Sequence, residues 1–169
     1  TGVTESQLFF VGNTMIDSLV SSLIKIRKPQ IWDDQKLQPG KYFVLTLHRP
    51  SNVDDLNKFS KLMENIDNGS GMPVIFPVHP RTRKNFSVLP KSPVNIIPVD
   101  PLSYLEFIYL IKNAKAVITD SGGVQEETTV LGVPCVTLRN NTERPETVTI
   151  GTNEMIGENM NSLAEAFKK

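Results

Sequence analysis

The segment 116–131 joins a short apolar strand, a Ser-Gly-Gly turn and a helix in direct succession, and this order strongly limits the possible folds. Its first four residues, Ala-Val-Ile-Thr, are apolar or β-branched and predict a buried strand. The turn Ser121-Gly122-Gly123 follows, and apolar residues at helical spacing continue until Gly132 ends the predicted helix. Because glycine lacks a Cβ atom, an anion can approach the free N–H groups at such a helix start closely. The segment therefore predicts a phosphate site.

Two glutamates follow one turn into this helix. Adjacent helical residues point about 100° apart, so we expect only one of Glu126 and Glu127 to face a ligand, while the other faces solvent or a partner. A carboxylate at this place can accept hydrogen bonds from the vicinal hydroxyls of a sugar. In the alternative interpretation Ser121 only caps the helix and both glutamates complement its dipole.

Short apolar runs alternate with helical patterns along the whole chain. The runs that predict buried strands are residues 42–47, 73–78, 94–99, 116–119 and 135–138. Helical spacing is present at residues 54–66, 103–113 and 124–131, and an opening helix is predicted at 13–26 with Asn13 as its cap. This alternation predicts one α/β domain, residues 1–169, with a Rossmann-like, doubly wound parallel sheet. We expect residues 30–40 and 84–93 to be loops.

Charge and cysteine content narrow the classes of partner. The chain has 18 basic and 18 acidic residues, so it has no overall charge that would attract nucleic acid or an anionic membrane. No apolar run approaches the ~18 residues of a membrane span. Cys135 is the single cysteine, which excludes an intrachain disulfide and predicts a reducing, cytoplasmic location. The start at Thr1, without methionine, suggests a processed product or a fragment.

Reactive side chains follow the predicted strands at one edge of the sheet. They are His48, Arg49, His79, Ser121, Arg139 and Arg144. Because ligands of open parallel sheets bind beyond the carboxyl ends of the strands, these groups are expected to converge on a site suited to a diphosphate. A packed, hydrogen-bonded imidazole is the alternative for each histidine. A surface ion pair with Glu143 or Glu146 is the alternative for Arg144.

Several common motifs are missing from the chain. No G-x-G-x-x-G follows a strand, and no G-x-x-x-x-G-K-[ST] is present, so neither a dinucleotide fingerprint nor a P-loop is predicted. Ser121 lacks the G-x-S-x-G frame of a hydrolase nucleophile. Two distant histidines and one cysteine do not make a zinc site. The sequence therefore predicts no metal and no cofactor.

Five segments together resemble the non-hydrolysing UDP-N-acetylglucosamine 2-epimerases, in the order of that family. They are GNTMID at 12–17, TLHRPSN at 46–52, PVHP at 77–80, TDSGGVQEE at 119–127 and TERPE at 142–146. The resemblance implies one half of a GT-B-like fold of two Rossmann-like domains, with this chain as the C-terminal, UDP-holding domain. The N-terminal domain, which supplies the catalytic carboxylates in this family, is then absent.

The resemblance also implies roles for individual residues. Ser121, Gly122 and Gly123 would hold the diphosphate, Glu127 the ribose hydroxyls, and Arg144 the phosphates or the bound sugar nucleotide. Phe107 would contact uracil, although the sequence pattern alone fits a core aromatic equally well. His48 would act in catalysis near the diphosphate, and Arg49 and His79 would contact a second, regulatory UDP-N-acetylglucosamine. The family usually has glutamate where this chain has Ser51.

The family reaction interconverts UDP-N-acetylglucosamine and UDP-N-acetylmannosamine by eliminating and re-adding UDP. The resemblance implies this activity, and a homodimer, for a full-length protein, while this chain alone is expected to be inactive. Two other functions stay open. The chain could be the donor-binding domain of a GT-B glycosyltransferase, which the TERPE segment disfavours, or a non-catalytic UDP-binding module.

Overall fold

The computed structural model describes residues 2–157 and 159–167 of the chain. Its strands are Phe43–Thr46 (β1), Val74–Pro77 (β2), Ile96–Val99 (β3), Ala116–Thr119 (β4), Cys135–Thr137 (β5) and Asn153–Met155 (β6). Its helices are Thr14–Ser22 (α1), Gln30–Asp34 (α2), Pro50–Val53 (α3), Leu56–Ser70 (α4), Pro80–Ser87 (α5), Tyr104–Asn113 (α6), Gly122–Leu131 (α7), Pro145–Thr149 (α8) and Met160–Ala166 (α9). No helix in this part of the chain is long and apolar enough to span a membrane.

The six strands of the described residues form one sheet in the order β3-β2-β1-β4-β5-β6, and every neighbouring pair is parallel. This is the strand order of a doubly wound Rossmann fold. The order in which strands are added changes side between β1 and β4: β2 and β3 lie on one side of this pair, and β5 and β6 lie on the other. The parallel pairing of β1 and β4 runs from Phe43 opposite Ala116 to Thr46 opposite Thr119. Crevices for ligands form at the carboxyl ends of such a pair. The fold therefore directs attention to the residues that follow Thr46 and Thr119.

Alternate residues of each central strand point to opposite faces of the sheet, because the side-chain period of a strand is two. Phe43 and Leu45 of β1 lie in one core cluster, which also contains Phe59 of α4 and Leu163 of α9. Val44 lies in the second cluster, which includes Leu19, Ile108 and Val124 from α1, α6 and α7. Helices therefore cover both faces, as expected for strands that are apolar throughout.

Capping residues determine several helix ends. Asn13 caps α1 by accepting hydrogen bonds from the N–H groups of Met15 and Ile16, which confirms the predicted cap. Gly132 ends α7 with a φ of 69°, a left-handed conformation that glycine adopts without the Cβ clash of other residues. Near the end of α4, the Asp67 carboxylate accepts hydrogen bonds from the backbone N–H groups at residues 94–96, just before and at the start of β3.

Some predicted boundaries were wrong. The opening helix ends at Ser22 and continues only as a 3-10 turn to Lys25. The two predicted loops contain α2 and the last part of α5. In α2, the edge of the Trp32 ring packs on Tyr42 and Tyr109, with centroids 5.8 and 5.2 Å apart, so tertiary contacts support a helix of only five residues. Strand β6 was missed because it is short, polar and at the sheet edge.

Candidate functional site

The carboxyl ends of β1 and β4 are tied together by their last residues. The hydroxyls of Thr46 and Thr119 lie 2.6 Å apart, and the backbone N–H of Ser121 donates to the Thr119 hydroxyl at 3.0 Å. These contacts turn the chain sharply out of β4 and into α7. The ends of β1 and β4 and the start of the Ser-Gly-Gly turn are therefore joined by hydrogen bonds.

Helix α7 begins with an open turn that suits an anion. Ser121 is its N-cap residue, but its side chain makes no capping hydrogen bond, so the alternative in which Ser121 serves only as a cap loses its main contact. A Cβ atom placed on Gly122 would meet nothing closer than Glu143 Oε2 at 3.8 Å, whereas one placed on Gly123 would lie 2.7 Å from the Met15 methyl group. The first glycine faces open space and the second lies against α1.

Asp120 immediately precedes this turn, and its side chain binds the residues that follow β1. Its side chain is fully buried and accepts hydrogen bonds from the backbone N–H groups of His48 and Arg49 and from Asn52 Nδ2, at 3.0–3.2 Å. The buried Asn52 also donates to the carbonyl of Leu138 at 3.1 Å. One carboxylate and one amide therefore connect the residues that follow β1, β4 and β5.

Asp120 also holds His48 in one orientation. His48 Nδ1 lies 2.9 Å from Asp120 Oδ1, and the imidazole side chain is 47% exposed. A histidine that donates from Nδ1 to a carboxylate keeps Nε2 free for a ligand, as in sites where an acidic residue sets the tautomer. A packed, hydrogen-bonded imidazole describes only the Nδ1 edge of the ring, which lies against Asp120, because about half of the side chain remains exposed.

Next to His48 is an open pocket of about 410 Å³. It is lined by both histidines and by apolar groups, among them Leu47, Leu102 and the half-buried Phe107. Phe107 packs on the core and lines the pocket at the same time, so the two interpretations of this residue are compatible. An open, largely apolar pocket beside polar groups suits an aromatic heterocycle.

Glu127 faces α6 rather than solvent. It is 6% exposed, and burial raises the pKa of its carboxyl, an effect that a hydrogen bond from the Tyr104 hydroxyl opposes. Burial and the nearby Glu127 charge raise the pKa of Tyr104 to about 12, so this hydroxyl remains a donor at neutral pH. Tyr104 and Phe107 are three residues apart on α6 and share a face. The carboxylate and the pocket therefore lie at the same end of α6.

The two residues before Glu127 are buried as well, and they bind other elements. Gln125 is fully buried, and its Oε1 accepts hydrogen bonds from the Thr142 hydroxyl at 2.6 Å and from Asn153 Nδ2 at 3.3 Å. Glu126 is 5% exposed and accepts a hydrogen bond from Asn13 Nδ2 at 2.6 Å. We expected the glutamate that does not face a ligand to face either solvent or a partner. Glu126 faces a partner, Asn13.

The arginines of this rim are already paired with carboxylates. Arg139 donates to both Glu143 oxygens at 2.8 and 2.7 Å, and Arg49 Nη2 lies 4.0 Å from the same carboxylate. The Arg139 guanidinium lowers the pKa of Glu143 to about 2. Arg144 Nε lies 3.0 Å from Glu126 Oε1, so its partner is buried, in contrast to the surface pair with Glu143 or Glu146 that we considered.

Arg49 and His79, which the resemblance assigned to one regulatory site, line two different pockets. His79 lines the pocket beside His48, whereas Arg49 lines a different pocket of about 220 Å³ with Ser51 and Arg139. In the described part of the chain no group of three or more histidine, cysteine or acidic side chains is arranged to hold a metal ion.

Sequence reasoning missed the residues that support the site. Asp120, Asn52 and Tyr104 were given no role, although the first two lie within the quoted motifs. The one sequence signal was position, since His48 and Asp120 each follow a predicted strand, and in the structure these two strands are neighbours. No comparable signal identifies Tyr104, because its contact with Glu127 depends on how α6 packs against α7.

A parallel sheet in this order, with two glycines at a helix start and an Asp-held histidine at its switch point, defines a Rossmann-like domain, a class in which nucleotides commonly bind at this place. The comparisons with known proteins identify the family. A family model described as UDP-N-acetylglucosamine 2-epimerase matches residues 1–169. The chain therefore belongs to the UDP-N-acetylglucosamine 2-epimerase family.

Individual relatives agree with this assignment. The UDP-N-acetylglucosamine 2-epimerase of Methanocaldococcus jannaschii is 41% identical over 99% of this chain and 49% of its own length. The UDP-2,3-diacetamido-2,3-dideoxy-D-glucuronate 2-epimerase of Pseudomonas aeruginosa is 40% identical over 75% of this chain and 36% of its own length. The chain spans about half the length of the first of these relatives.

Solved structures give the same result. The M. jannaschii epimerase in complex with UDP-GlcNAc and UDP superposes with a TM-score of 0.84 at 40% identity, over 99% of this chain and 49% of that one. An Escherichia coli heptosyltransferase superposes with a TM-score of 0.56 at 16% identity, over 96% of this chain and 49% of that one, a likeness of fold alone. The predicted fold class, a Rossmann-like sheet forming one half of a GT-B-like fold, is confirmed.

Proposed function

We propose that this chain is the UDP-holding C-terminal domain of a UDP-N-acetylglucosamine 2-epimerase. The observation that carries the proposal is the open turn at Gly122, which lies at the sheet switch point beside His48 and one turn before Glu127. The matched relatives support the UDP end of the ligand, because both of their names combine UDP with 2-epimerase. Those names differ in the sugar, so the proposal is firmest for the nucleotide.

In this proposal each element of the rim takes one part of the ligand. Uracil stacks on Phe107 in the pocket, the ribose hydroxyls donate to Glu127, and the diphosphate binds the N–H groups of Ser121, Gly122 and Gly123 with Arg144 nearby. His48 then presents Nε2 to the diphosphate, where it stabilises charge that develops as UDP departs from C1 of the sugar. A carboxylate of another domain removes the C2 proton, so the chain alone is inactive.

Regulation and assembly belong to the same proposal. A second, regulatory UDP-N-acetylglucosamine is proposed to contact Arg49 and His79, which line two different pockets of the rim. We also propose that the full-length enzyme contains an N-terminal domain, forms a homodimer and is cytoplasmic. A glycosyltransferase donor domain shares the fold, but the match of a 2-epimerase family model along residues 1–169 favours the epimerase.

A matched pair of glycine substitutions tests the cradle. In Gly122→Ala the new methyl group fits the fold, since its nearest neighbour is 3.8 Å away, but it occupies the space of the anion. Gly132 lies at the other end of α7, distant from the cradle, and has a φ of 69°. Because a residue with a Cβ atom is strained at this φ, Gly132→Ala should lower the stability of the fold. We expect Gly122→Ala to weaken UDP about tenfold or more with little change in melting temperature. Gly132→Ala should lower the melting temperature with little change in UDP affinity.

Calorimetric titrations of UDP and of its 2′-deoxy counterpart test the ribose contact. Glu127→Ala should weaken UDP more than deoxy-UDP, because only the ribose offers both hydroxyls. Equal losses would remove the assigned role of Glu127. Conversion of UDP-N-acetylglucosamine by the purified 169-residue chain, above a buffer control, would contradict the division of labour between two domains.

A further inference from the structure

Glu126 has no role in the proposed site, yet it is a buried carboxylate one turn from the cradle. Its Oε1 atom lies 2.6 Å from Asn13 Nδ2 and 3.0 Å from Arg144 Nε. Its Oε2 atom is buried and has no hydrogen-bond partner. A carboxylate is seldom buried unless its partners compensate for the lost hydration. The location of this charge therefore calls for a specific explanation.

The first partner, Asn13, links Glu126 to the start of α1. While its Nδ2 donates to Glu126, its Oδ1 caps α1 by accepting from the N–H groups of Met15 and Ile16. Met15 in turn lies against Gly123, where an added Cβ would come within 2.7 Å of the Met15 methyl group. The first turns of α1 and α7 are thus held together on the side of the cradle away from Gly122.

The second partner, Arg144, is held at two points and is still partly accessible. Its Nε faces Glu126, and its Nη1 donates to the carbonyl of Glu143 at 3.2 Å. The side chain remains 39% exposed. Its backbone is fixed separately, because its N–H donates to the Thr142 hydroxyl, which donates to Gln125. A guanidinium restrained in this way loses less conformational entropy when it binds an anion.

We propose that Glu126 is a positioning residue, which holds the Arg144 guanidinium beside the cradle and ties it to the capped start of α1. The inference rests on the proposed function, since Arg144 is taken to meet the diphosphate. The pair is not fully aligned, because Arg144 Nε makes no hydrogen bond of good geometry despite the 3.0 Å separation. The unused Oε2 atom can receive the guanidinium when it turns towards a phosphate. Glu126 itself touches no ligand.

The test compares UDP with uridine, which lacks the diphosphate. Dissociation constants are measured by NMR titration for the parent chain, Glu126→Gln, Arg144→Gln and the double variant, each checked by thermal melting. The substitution Glu126→Gln keeps the shape of the side chain and an oxygen that can accept from Asn13, but it removes the negative charge. We expect Glu126→Gln to weaken UDP about tenfold, the scale of one charge-assisted contact, and uridine less than about twofold. In the Arg144→Gln background it should have no further effect on UDP.

The outcomes separate the two proposals. A parent chain that does not bind UDP overturns the proposed function and this inference together. A parent chain that binds UDP while Glu126→Gln weakens UDP and uridine equally, or adds its full effect to that of Arg144→Gln, overturns the inference alone. Should Glu126→Gln fail to fold, Asn13→Ser keeps a cap for α1 but cannot reach Glu126. We then expect UDP to weaken about threefold relative to uridine, and an unchanged ratio overturns the inference.

Discussion

Replacing Asp120 with asparagine should damage both the stability of the fold and the orientation of His48. Oδ1 faces His48 Nδ1, Oδ2 faces the N–H of Arg49 and Asn52 Nδ2, and both oxygens share the His48 N–H at 3.2 Å. Asparagine keeps one oxygen, which can still accept from the His48 N–H, and its NH2 group is placed against the other donors. The amide therefore loses one contact if its oxygen takes the place of Oδ2, and two if it takes the place of Oδ1.

The magnitude follows from the one or two contacts that are lost. At about 1.5 kcal/mol for each bond to a charged acceptor, the loss in the free energy of unfolding is about 1.5–3 kcal/mol. For a domain of this size about 2–4 °C of melting temperature corresponds to each kcal/mol, so the melting temperature should fall by about 3–12 °C. The loss of the acceptor at Nδ1 should also change the His48 tautomer, because nothing then favours a proton on that nitrogen.

Asp67→Asn provides a matched control, since Asp67 is 7% exposed and also accepts backbone N–H groups, but at the start of β3. Thermal melting of both variants should give comparable losses. NMR of the imidazole nitrogens should show a changed His48 tautomer in Asp120→Asn only, and UDP affinity should fall in that variant only. If Asp120→Asn melts within about 1 °C of the parent chain, or if both variants weaken UDP equally, the assigned role of Asp120 is wrong.

Three further predictions concern titration and reactivity. Burial raises the pKa of Glu127 above that of a free glutamate, so uridine affinity should fall as the pH drops through that raised pKa, and titrations of Glu127→Gln should show no such dependence. Arg139 lowers the pKa of Glu143 to about 2, so the pair stabilises the fold above the ordinary glutamate pKa and loses this effect as the pH falls towards 2. Acid unfolding of Glu143→Gln should lack that part of the pH dependence, and an unchanged profile would contradict it. Burial raises the pKa of Cys135 to about 11, so at pH 8 Ellman's reagent should label this thiol far faster in urea than in buffer; equal rates would show that it is accessible in the fold.

The sheet could be predicted from the sequence because its central strands are apolar on both faces, a pattern that few other structures share. Residues 116–119, for example, were predicted as a strand with the bounds that the structure has. Strand β6 was not predicted, because its sequence, Asn-Glu-Met, contains no apolar run. Helices α2 and α8, of five residues each, are too short for a periodicity to be visible.

The Ser-Gly-Gly turn at the start of α7 was predictable, because it is a local sequence pattern. The supporting contacts of the site are long-range and were not predictable. Asn13 and Glu126 are separated by 113 positions, and no local pattern relates them. The same applies to the pairing of the arginines, because sequence alone predicted a cationic rim, while the structure places a carboxylate against each of Arg139 and Arg144.

That pairing has a consequence for the choice of ligand among the many phosphates of a cell. An open cluster of unpaired arginines would attract inorganic phosphate, sulfate and any nucleoside triphosphate with similar strength. Here the Arg139 guanidinium already pairs with Glu143, so an incoming anion must displace that carboxylate to reach it, and charge attraction alone yields little net gain there. Under the proposed function, occupancy then depends on contacts that only a particular nucleoside can add, at the apolar pocket and at Glu127. In that proposal the paired charges make an otherwise generic anion site selective for its nucleoside.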